Sequence, residues 1–289
     1  MFTRRSFVLS SLASAGLLAA GTLVGCGGTP SSDAPADSAD PSAEAGTGAV
    51  DTGTLIVGFD SAYPPYGYVG DDGEYTGFDL ELAAEVASRN GWEVQLEPVD
   101  WDAKDTLLDS GAINCIWNGF TMEGREEDYT FSDPYMLNAQ VVVVRADSGI
   151  SGFGDLSGKA VITQVDSAAY NVLAGEEATQ ADLAATFASL ETIGDYNTAF
   201  MQLESGAVDA VACDLSIAAY QLAANPDAYV QLDEPLSEEH YAVGFKLGDD
   251  ATASTVSDTL RAMDEDGFVE QLCEKYADQG ISYENWCLE

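Results

Sequence analysis

The chain has few basic residues. Its 289 residues include 10 lysines and arginines against 50 aspartates and glutamates, which gives a formal net charge of −40. Nucleic acids and anionic lipids are bound through clustered Lys and Arg, so this balance excludes both as electrostatic partners. An acidic surface of this kind is explained by solubility or by adaptation to salt, and it says little about chemistry.

Histidine is nearly absent as well. His240 is the only histidine, and no two cysteines stand in a CxxC pattern. We therefore predict no metal site built from Cys and His, and a His-based catalytic triad would be hard to assemble. The sequence also shows no glycine-rich phosphate loop. We expect neither a metal nor a cofactor.

The N-terminal residues 1–25 are predicted to be an export signal. They have a positive start at Arg4 and Arg5, followed by a glycine-containing stretch that is too weakly apolar for a stable spanning helix. TRRSF resembles a twin-arginine export signal. LVGC resembles the lipobox of lipoproteins, in which cleavage leaves Cys26 as a lipidated N-terminus. The alternative is an uncleaved signal anchor.

Residues 26–52 are predicted to be a lipidated, disordered tether. They are rich in Gly, Ala, Ser, Pro and Asp and show no apolar period. Such a stretch buries too little surface to offset the entropy lost on ordering. A flexible tether of this length would hold the following domain roughly 25 to 30 Å from a membrane. We therefore expect the functional body outside the cell, anchored by lipid at the outer face of the cytoplasmic membrane.

Four cysteines remain once Cys26 carries lipid. An even number permits disulfides in an exported protein. Cys273 and Cys287 lie close together in sequence and are the candidate pair. Cys115 and Cys213 stand within apolar, strand-like runs, where a buried free thiol is expected.

From residue 53 onward, predicted strands alternate with predicted helices. The first series reads strand, helix, strand, helix, strand: GTLIVGFD, GFDLELAAEVASRNG, WEVQLEPV, WDAKDTLLDSG and INCIWNGF. This order predicts a parallel sheet with crossover helices. A second series follows VVVVRAD, and both series contain a helix that ends in SG before a short strand: LLDSGAINCIWNG and MQLESGAVDAVACD. The repeat predicts two α/β lobes of like architecture.

Six stretches carry a resemblance to a known family: LIVGFDSAYPPYGY, GEYTGFDLELAAEVA, NGFTMEGREEDYTFSDPY, GKAVITQVDSAA, GAVDAVACDLSIAAY and EEHYAVGFKLGDDATASTVSDTLRAMDEDGFVEQLCEKY. In this order they resemble the polar amino-acid substrate-binding proteins of ABC transporters, solute-binding protein family 3. The resemblance implies a type II periplasmic-binding-protein-like fold, in which a two-segment hinge joins two Rossmann-like α/β lobes around a ligand cleft. It places lobe one at 53–138 plus 242–289, lobe two at 139–236 and the second hinge segment at 237–241.

A free amino acid carries a carboxylate and an ammonium on one carbon, so its cleft needs a fixed cation and a fixed anion. Arg125 has a planar fork that can donate two parallel hydrogen bonds to a carboxylate. The resemblance assigns it that role, supported by Thr121 and the backbone around Asn118 and Gly119. The loop is one residue shorter than the family's Thr-x-Thr-x-x-Arg run and lacks its second threonine. The alternative is a solvated arginine paired with an acid at 126–128.

Asp214 ends an apolar strand, where an isolated buried carboxylate would be costly. The resemblance assigns it the ligand's ammonium, and a helix N-cap is the competing role. The resemblance also implies two walls of the cleft, formed by Asp60, Tyr63 and Trp101 in lobe one and by Gln164, Ser167 and Ala168 in lobe two.

The wall residues have alternatives of their own. In the alternative interpretation, the aromatic residues Tyr63 and Trp101 belong to the core and do not contact the ligand. Ser167 lies at a predicted helix N-terminus, where backbone N–H groups are available to a carboxylate. The extra negative charge of Asp60 favours a polar neutral or cationic ligand over an acidic one, with cystine possible.

The resemblance implies a monomeric binding subunit that delivers an amino acid to ABC permease subunits, and not an enzyme. Periplasmic dehydratases that act on prephenate-like acids use the same fold and are the first alternative. Such chemistry needs a well-placed general acid, and neither Asp60, Asp214 nor His240 is an obvious one. In a second alternative a receptor partner reads the closed form as a signal. No signalling domain is recognised in the sequence, so a partner protein would supply it.

Overall fold

The computed structural model describes residues 53–288. Within that range the chain forms fourteen β-strands and eight α-helices. The strands are β1 Thr54–Phe59, β2 Ala62–Tyr63, β3 Gly67–Val69, β4 Tyr75–Thr76, β5 Glu93–Pro98, β6 Cys115–Ile116, β7 Tyr129–Phe131, β8 Met136–Arg145, β9 Ala160–Gln164, β10 Ser189–Ile193, β11 Ala210–Asp214, β12 Tyr229–Gln231, β13 Ser237–Tyr241 and β14 Gly244–Lys246. The helices are α1 Phe78–Asn90, α2 Lys104–Ser110, α3 Ala168–Ala174, α4 Ala181–Ala184, α5 Tyr196–Ser205, α6 Leu215–Ala224, α7 Asp250–Glu265 and α8 Phe268–Lys275. The predicted signal, the tether and Cys26 lie outside the described residues.

One sheet has the strand order β5-β1-β6-β14-β7. β1 pairs in parallel with β5 and β6, and β14 pairs antiparallel with β6 and β7. α1 connects β1 to β5 and α2 connects β5 to β6, which are the predicted crossovers. α1 ends at Gly91, whose φ of 70° is the left-handed conformation that glycine adopts without a Cβ penalty.

The second sheet has the order β10-β9-β11-β8-β12, and β13 also pairs with β8. β10 and β11 are parallel to β9, whereas β8 is antiparallel to its neighbours. Both sheets thus place an antiparallel strand beside three parallel ones, so the prediction of two like α/β lobes is confirmed. Along β8, Val141 and Val143 face one core while Val142 and Val144 face another. This alternation buries all four valines.

The chain crosses between the two sheets along β8 and β13. These strands pair antiparallel, with Gln140 opposite Ser237 at one end and Met136 opposite Tyr241 at the other. β8 follows β7 of the first sheet and continues into the second, and β13 is followed by β14 of the first sheet. The two strands form the two-segment hinge of a type II fold. The residue boundaries of the lobes stay a prediction.

The four described cysteines are free thiols. Cys273 and Cys287, the predicted pair, are not joined in this structure, and their pairing stays a prediction. Cys273 lies on α8 with its side chain in the main core. Cys287 is held elsewhere: its N–H donates to the Tyr135 carbonyl at 3.0 Å, and its Sγ lies 3.7 Å from the Pro134 carbonyl oxygen.

The prediction for the other two cysteines is confirmed. Cys115 lies on β6 and Cys213 on β11, and both are buried free thiols. Burial raises the pKa of each thiol. The neutral thiol is therefore the stable form at both positions, where each cysteine packs as a small apolar side chain.

Candidate functional site

A small cavity lies where strand ends of both sheets meet, outside the carboxyl ends of the parallel strands. Its volume of about 10 Å³ is about the space that one water molecule needs. Nine of the eleven predicted site residues line it: Tyr63, Trp101, Gly119, Thr121, Arg125, Gln164, Ser167, Ala168 and Asp214. The structure therefore brings most of the predicted site together, and it leaves Asp60 and Asn118 off the cavity wall.

Arg125 is buried, with 7% of its surface exposed. Its Nη1 donates to the Thr121 carbonyl at 2.9 Å and its Nη2 to the Asp166 carbonyl at 3.4 Å. The guanidinium lies 4.6 Å from the centroid of the Phe120 ring. Within residues 53–288 it forms no ion pair with a carboxylate, so the alternative of pairing with an acid at 126–128 is not observed. A buried guanidinium without an anion is costly, and an anionic ligand would relieve that cost.

Asp214 is also buried, at the N-cap position of α6. Its side chain makes no capping hydrogen bond, so the competing N-cap role is not observed. Its Oδ1 instead accepts hydrogen bonds from Asn138 Nδ2 at 3.0 Å, Gln140 Nε2 at 2.6 Å and the Tyr241 hydroxyl at 3.0 Å. Burial raises the pKa of Asp214, and the positive charge of Arg125 acts in the opposite direction.

Glu239 is a buried carboxyl that our sequence reasoning missed. It lies on β13, and its Oε1 accepts from Thr121 Oγ1 at 2.8 Å, Asn138 Nδ2 at 2.7 Å and Gln140 Nε2 at 2.8 Å. Burial, and then the negative charge of Asp214, raise the pKa of Glu239 to about 7. A signal was present in NAQVVVV, because polar side chains that alternate into a buried strand need polar partners.

Asp60 does not line the cavity but accepts a hydrogen bond from Gln164, which does. Its Oδ1 accepts from the Ala62 N–H at 2.8 Å, and its Oδ2 accepts from Gln164 Nε2 at 2.7 Å. Burial raises the pKa of Asp60. The carboxylate thus joins the first-sheet lobe to Gln164 of the second, and a contact of Asp60 with the ligand stays a prediction.

Gly119 leaves room for the tyrosine rings beside the cavity, and its N–H is already hydrogen-bonded. Its φ is 57°, and a Cβ at this position would lie 3.0 Å from the Tyr241 ring and 3.2 Å from the Tyr63 ring. Its N–H donates to Asp79 Oδ2 at 2.5 Å and is not free for a ligand carboxylate. The Asn118 side chain is buried without a hydrogen-bond partner among the described residues. The other backbone contacts predicted at Asn118 and Gly119 for the ligand carboxylate stay a prediction.

The remaining wall residues are held by local structure. Ser167 is the N-cap of α3, where its Oγ accepts from the Tyr170 N–H at 3.1 Å, and Ala168 is the first residue of that helix. Trp101 packs edge-on against Phe120, with ring centroids 5.7 Å apart. These contacts fix the position of the side chains before any ligand arrives.

A second contact between the lobes lies next to the cavity and was not predicted. Lys104 of α2 pairs with Asp166, which follows β9 in the other lobe. Only 2% of the Lys104 side chain is exposed, against 43% of Asp166, and Lys104 Nζ lies 5.3 Å from the Trp101 ring centroid. Together with the bond between Asp60 and Gln164, this ion pair joins the two lobes across the cleft. We call it the Lys104–Asp166 latch.

Within the described part of the chain, the site has one cation without a carboxylate partner, Arg125, and two neighbouring buried carboxyls, of which Asp214 lines the cavity and Glu239 does not. Among residues 53–288 no group of His, Cys, Asp and Glu is arranged to hold a metal ion. Arg125 and Asp214 both line the cavity, and they present opposite charges to whatever enters it. The arrangement is suited to hold a small zwitterion between the lobes.

Comparisons with known proteins agree with this geometry. The chain matches the family described as bacterial extracellular solute-binding proteins, family 3, over residues 55–279. The L-cystine-binding protein TcyJ of Escherichia coli K12 is 30% identical over 227 residues, which cover 78% of this chain and 82% of that protein. A solved substrate-binding protein of an ABC uptake transporter from Streptococcus pneumoniae, with bound histidine, has a TM-score of 0.75 at 30% identity and covers 80% of this chain and 95% of its own. The ancestral amino acid-binding protein AncCDT-1, a precursor of cyclohexadienyl dehydratase, has a TM-score of 0.69 at 29% identity and covers 78% and 95%.

Proposed function

Because the chain belongs to the bacterial extracellular solute-binding proteins of family 3, we propose that it captures an amino acid with a polar neutral or cationic side chain, L-cystine included. It is the amino-acid-binding component of an ABC importer. The observation that carries the proposal is Arg125, a buried guanidinium on the cavity wall without a carboxylate partner in the described part of the chain. The ligand's α-carboxylate supplies that partner.

Asp214 receives the α-ammonium at the other end of the same cavity. The hydrogen bonds from Asn138, Gln140 and the Tyr241 hydroxyl all use Oδ1, and Tyr63 is a further donor to this carboxyl. Arg125 follows β6 of the first sheet and Asp214 ends β11 of the second. A ligand that touches both binds the closed arrangement better than an open one, so it shifts the population toward closure.

The charge around the cavity supports the choice of side chain. Lys104 is neutralised by Asp166, and Arg125 is reserved for the α-carboxylate in this scheme. Three buried carboxyls, those of Asp60, Asp214 and Glu239, lie on or beside the cavity. An acidic ligand side chain would add a second anion to this environment, whereas a neutral or cationic one would not.

The dehydratase alternative is less well supported by the geometry. An elimination from a prephenate-like acid needs a general acid that reaches the ligand. Asp214 is the carboxyl on the described cavity wall, and Glu239 is held by three donors and does not line the cavity. AncCDT-1 is itself named as an amino acid-binding protein and a precursor of the enzyme. We therefore propose binding without turnover.

The membrane attachment is proposed on sequence grounds. Among residues 53–288 we find no helix with the length and apolar content needed to cross a bilayer. Lipid on Cys26 would hold the body at the outer face of the cytoplasmic membrane, within reach of its permease subunits. We propose that the protein works there as a monomer, because both charged ends of the ligand site come from one chain.

We expect the cognate amino acid to raise the thermal midpoint of the purified protein. At about 100 times its dissociation constant, a ligand that binds only the folded state stabilises it by about 2.7 kcal/mol. For a chain of this size the midpoint should rise by on the order of 5 to 10 °C. The measurement is a thermal-shift panel of the twenty amino acids and L-cystine, with L-glutamate as the acidic comparison. A panel in which no amino acid shifts the midpoint would refute the proposed function.

We expect Lys104→Met to weaken binding of that amino acid about fivefold. The Lys104–Asp166 latch joins two lobes, so it stabilises the closed state alone, and a partly exposed ion pair of this kind contributes about 1 kcal/mol. Titration calorimetry gives the affinity, and small-angle scattering of the unliganded variant should show a larger radius of gyration. Lys246→Met is the control, because Lys246 lies 3.7 Å from Asp109 within one lobe. Equal effects of the two variants would contradict the latch.

A further inference from the structure

Two buried carboxyls, Asp214 and Glu239, lie on either side of hinge strand β8. In the strand register, Asp214 stands opposite Gln140 on one side of β8, and Glu239 stands opposite Asn138 on the other. Asn138 and Gln140 are two residues apart, so their side chains point to the same face of the strand. The backbone pairing therefore places two amides between two acids.

Each amide donates to both acids. Asn138 Nδ2 lies 3.0 Å from Asp214 Oδ1 and 2.7 Å from Glu239 Oε1. Gln140 Nε2 lies 2.6 Å and 2.8 Å from the same two oxygens. An amide nitrogen carries two N–H groups, so it can serve both acceptors at once. Two shared donors hold the two carboxyls together as one unit.

This unit is short of positive charge. Arg125 acts on Asp214, but its described hydrogen bonds go to backbone carbonyls. The hydroxyls of Tyr63 and Tyr241 are neutral, and burial raises the pKa of both. Two neighbouring buried carboxylates that accept no hydrogen bond from a cation cannot both ionise at low cost, so the first proton lost makes the second harder to lose.

The other face of β13 carries its own charges. His240 Nδ1 lies 2.6 Å from Glu123 Oε1, and both side chains are about 40% exposed. Glu238 is exposed. These groups are in contact with solvent, whereas burial and the charge of Asp214 raise the pKa of Glu239 to about 7. The buried pair therefore holds one proton near neutral pH.

We propose that Asp214 and Glu239 share one proton, and that the ammonium of the captured amino acid displaces this proton to solvent. The inference rests on the proposed function. The cluster keeps its net charge, because one positive charge enters as one proton leaves. Glu239 acts as a positioning residue: it does not touch the ligand, but it sets the charge of Asp214, which does.

Thr121 connects this pair to the other end of the ligand. Its Oγ1 donates to Glu239 at 2.8 Å, and its carbonyl accepts from Arg125 at 2.9 Å. One run of hydrogen bonds thus links Arg125, through Thr121, Glu239 and the two amides, to Asp214. This run passes through the hinge strands β8 and β13, which carry Asn138, Gln140 and Glu239.

The expected sign of the pH dependence follows from linkage. The ligand's positive charge lowers the pKa of the pair, so the complex holds fewer protons than the free protein. Binding is then at full strength above about pH 7 and weakens about tenfold per unit as the pH falls below it. The number of protons released on binding provides a second, independent measurement.

The test is titration calorimetry of the purified protein at about pH 6 and about pH 8, each in two buffers of different ionisation enthalpy. The titrant is the amino acid with the largest shift in the thermal panel. The titrant's own change in protonation between the two pH values, at its α-ammonium and for L-histidine at its imidazole, is measured separately and subtracted. We expect close to one proton released at about pH 6 and close to none at about pH 8.

Glu239→Gln isolates the role of the second carboxyl. All three donors to Glu239 use Oε1, so glutamine keeps these bonds and removes the charge. We expect this variant to release no proton and to bind about tenfold tighter than the wild type at about pH 6, with little change at about pH 8. Glu238→Gln makes the same charge change on the exposed face of β13 and should behave as the wild type.

Two results would overturn the pairing. One is binding by the wild type without proton release at about pH 6. The other is an equal loss of affinity at both pH values in Glu239→Gln, which would show a merely structural role. Neither result would touch the proposed function, which fails only if no amino acid in the panel binds.

Discussion

Arg125→Ala should reduce amino-acid affinity by about 30- to 5,000-fold. Truncating one partner of a buried, hydrogen-bonded charge pair costs about 2 to 5 kcal/mol, and the ligand's α-carboxylate would be left without its cation. The unliganded protein should keep its thermal midpoint within a few degrees. Arg125 has no carboxylate partner among the described residues, so the variant loses two bonds to carbonyls and gains relief from burying a charge.

Arg89→Ala is the matched control for this experiment. Arg89 is a surface arginine that pairs with Glu85 at 2.8 Å and Asp266 at 2.7 Å. Exposed pairs contribute about 0 to 1 kcal/mol each, and neither lies near the cavity. The affinity of Arg89→Ala for the amino acid should match that of the wild type. If Arg125→Ala lowers the unliganded midpoint by many degrees and leaves affinity intact, Arg125 has a structural role and the ligand scheme is wrong.

Asp214→Asn should weaken binding over the same range, about 30- to 5,000-fold, because the α-ammonium loses its counter-charge. The free energy of unfolding should not fall. Asn138, Gln140 and Tyr241 donate to Oδ1, which asparagine retains, and the Asp214 side chain makes no helix-capping bond that could be lost. Calorimetry measures the affinity, and chemical denaturation measures the free energy of unfolding.

The pH dependence of stability gives this variant a second readout. Burial raises the folded-state pKa of Asp214 above its ordinary value of 3.8. Its contribution to stability is therefore fully present below the unfolded-state pKa and is lost as the pH rises through the folded-state pKa. Asp214→Asn should remove that decline and be at least as stable as the wild type at neutral pH. Asp147→Asn, at a side chain that is 90% exposed, should change neither the affinity for the amino acid nor the pH dependence of stability. A large loss of stability in Asp214→Asn would contradict this account.

The sequence by itself determined the fold class and proposed Arg125 and Asp214 as the residues at the two ends of the ligand. Alternating strand and helix patterns are local, because burial of one face imposes a period of 2 or 3.6 on neighbouring residues. The repeat of helix, SG and short strand therefore predicted two like lobes, and their sheets have matching strand patterns. Arg125 and Asp214 were proposed from the family resemblance, together with the cation and the anion that a free amino acid requires of its cleft.

Only the tertiary structure decided which polar groups meet. Thr121 and Glu239 are 118 positions apart, Gln140 and Asp214 are 74 apart, and Lys104 and Asp166 are 62 apart. No local period encodes such contacts, because they depend on the register of β8 with β11 and β13 and on the approach of one lobe to the other. Nor does nearness in sequence join Cys273 and Cys287 here, where both are free thiols. The chain's local pattern specified its strands and helices, whereas long-range strand pairing placed Glu239 next to Asp214.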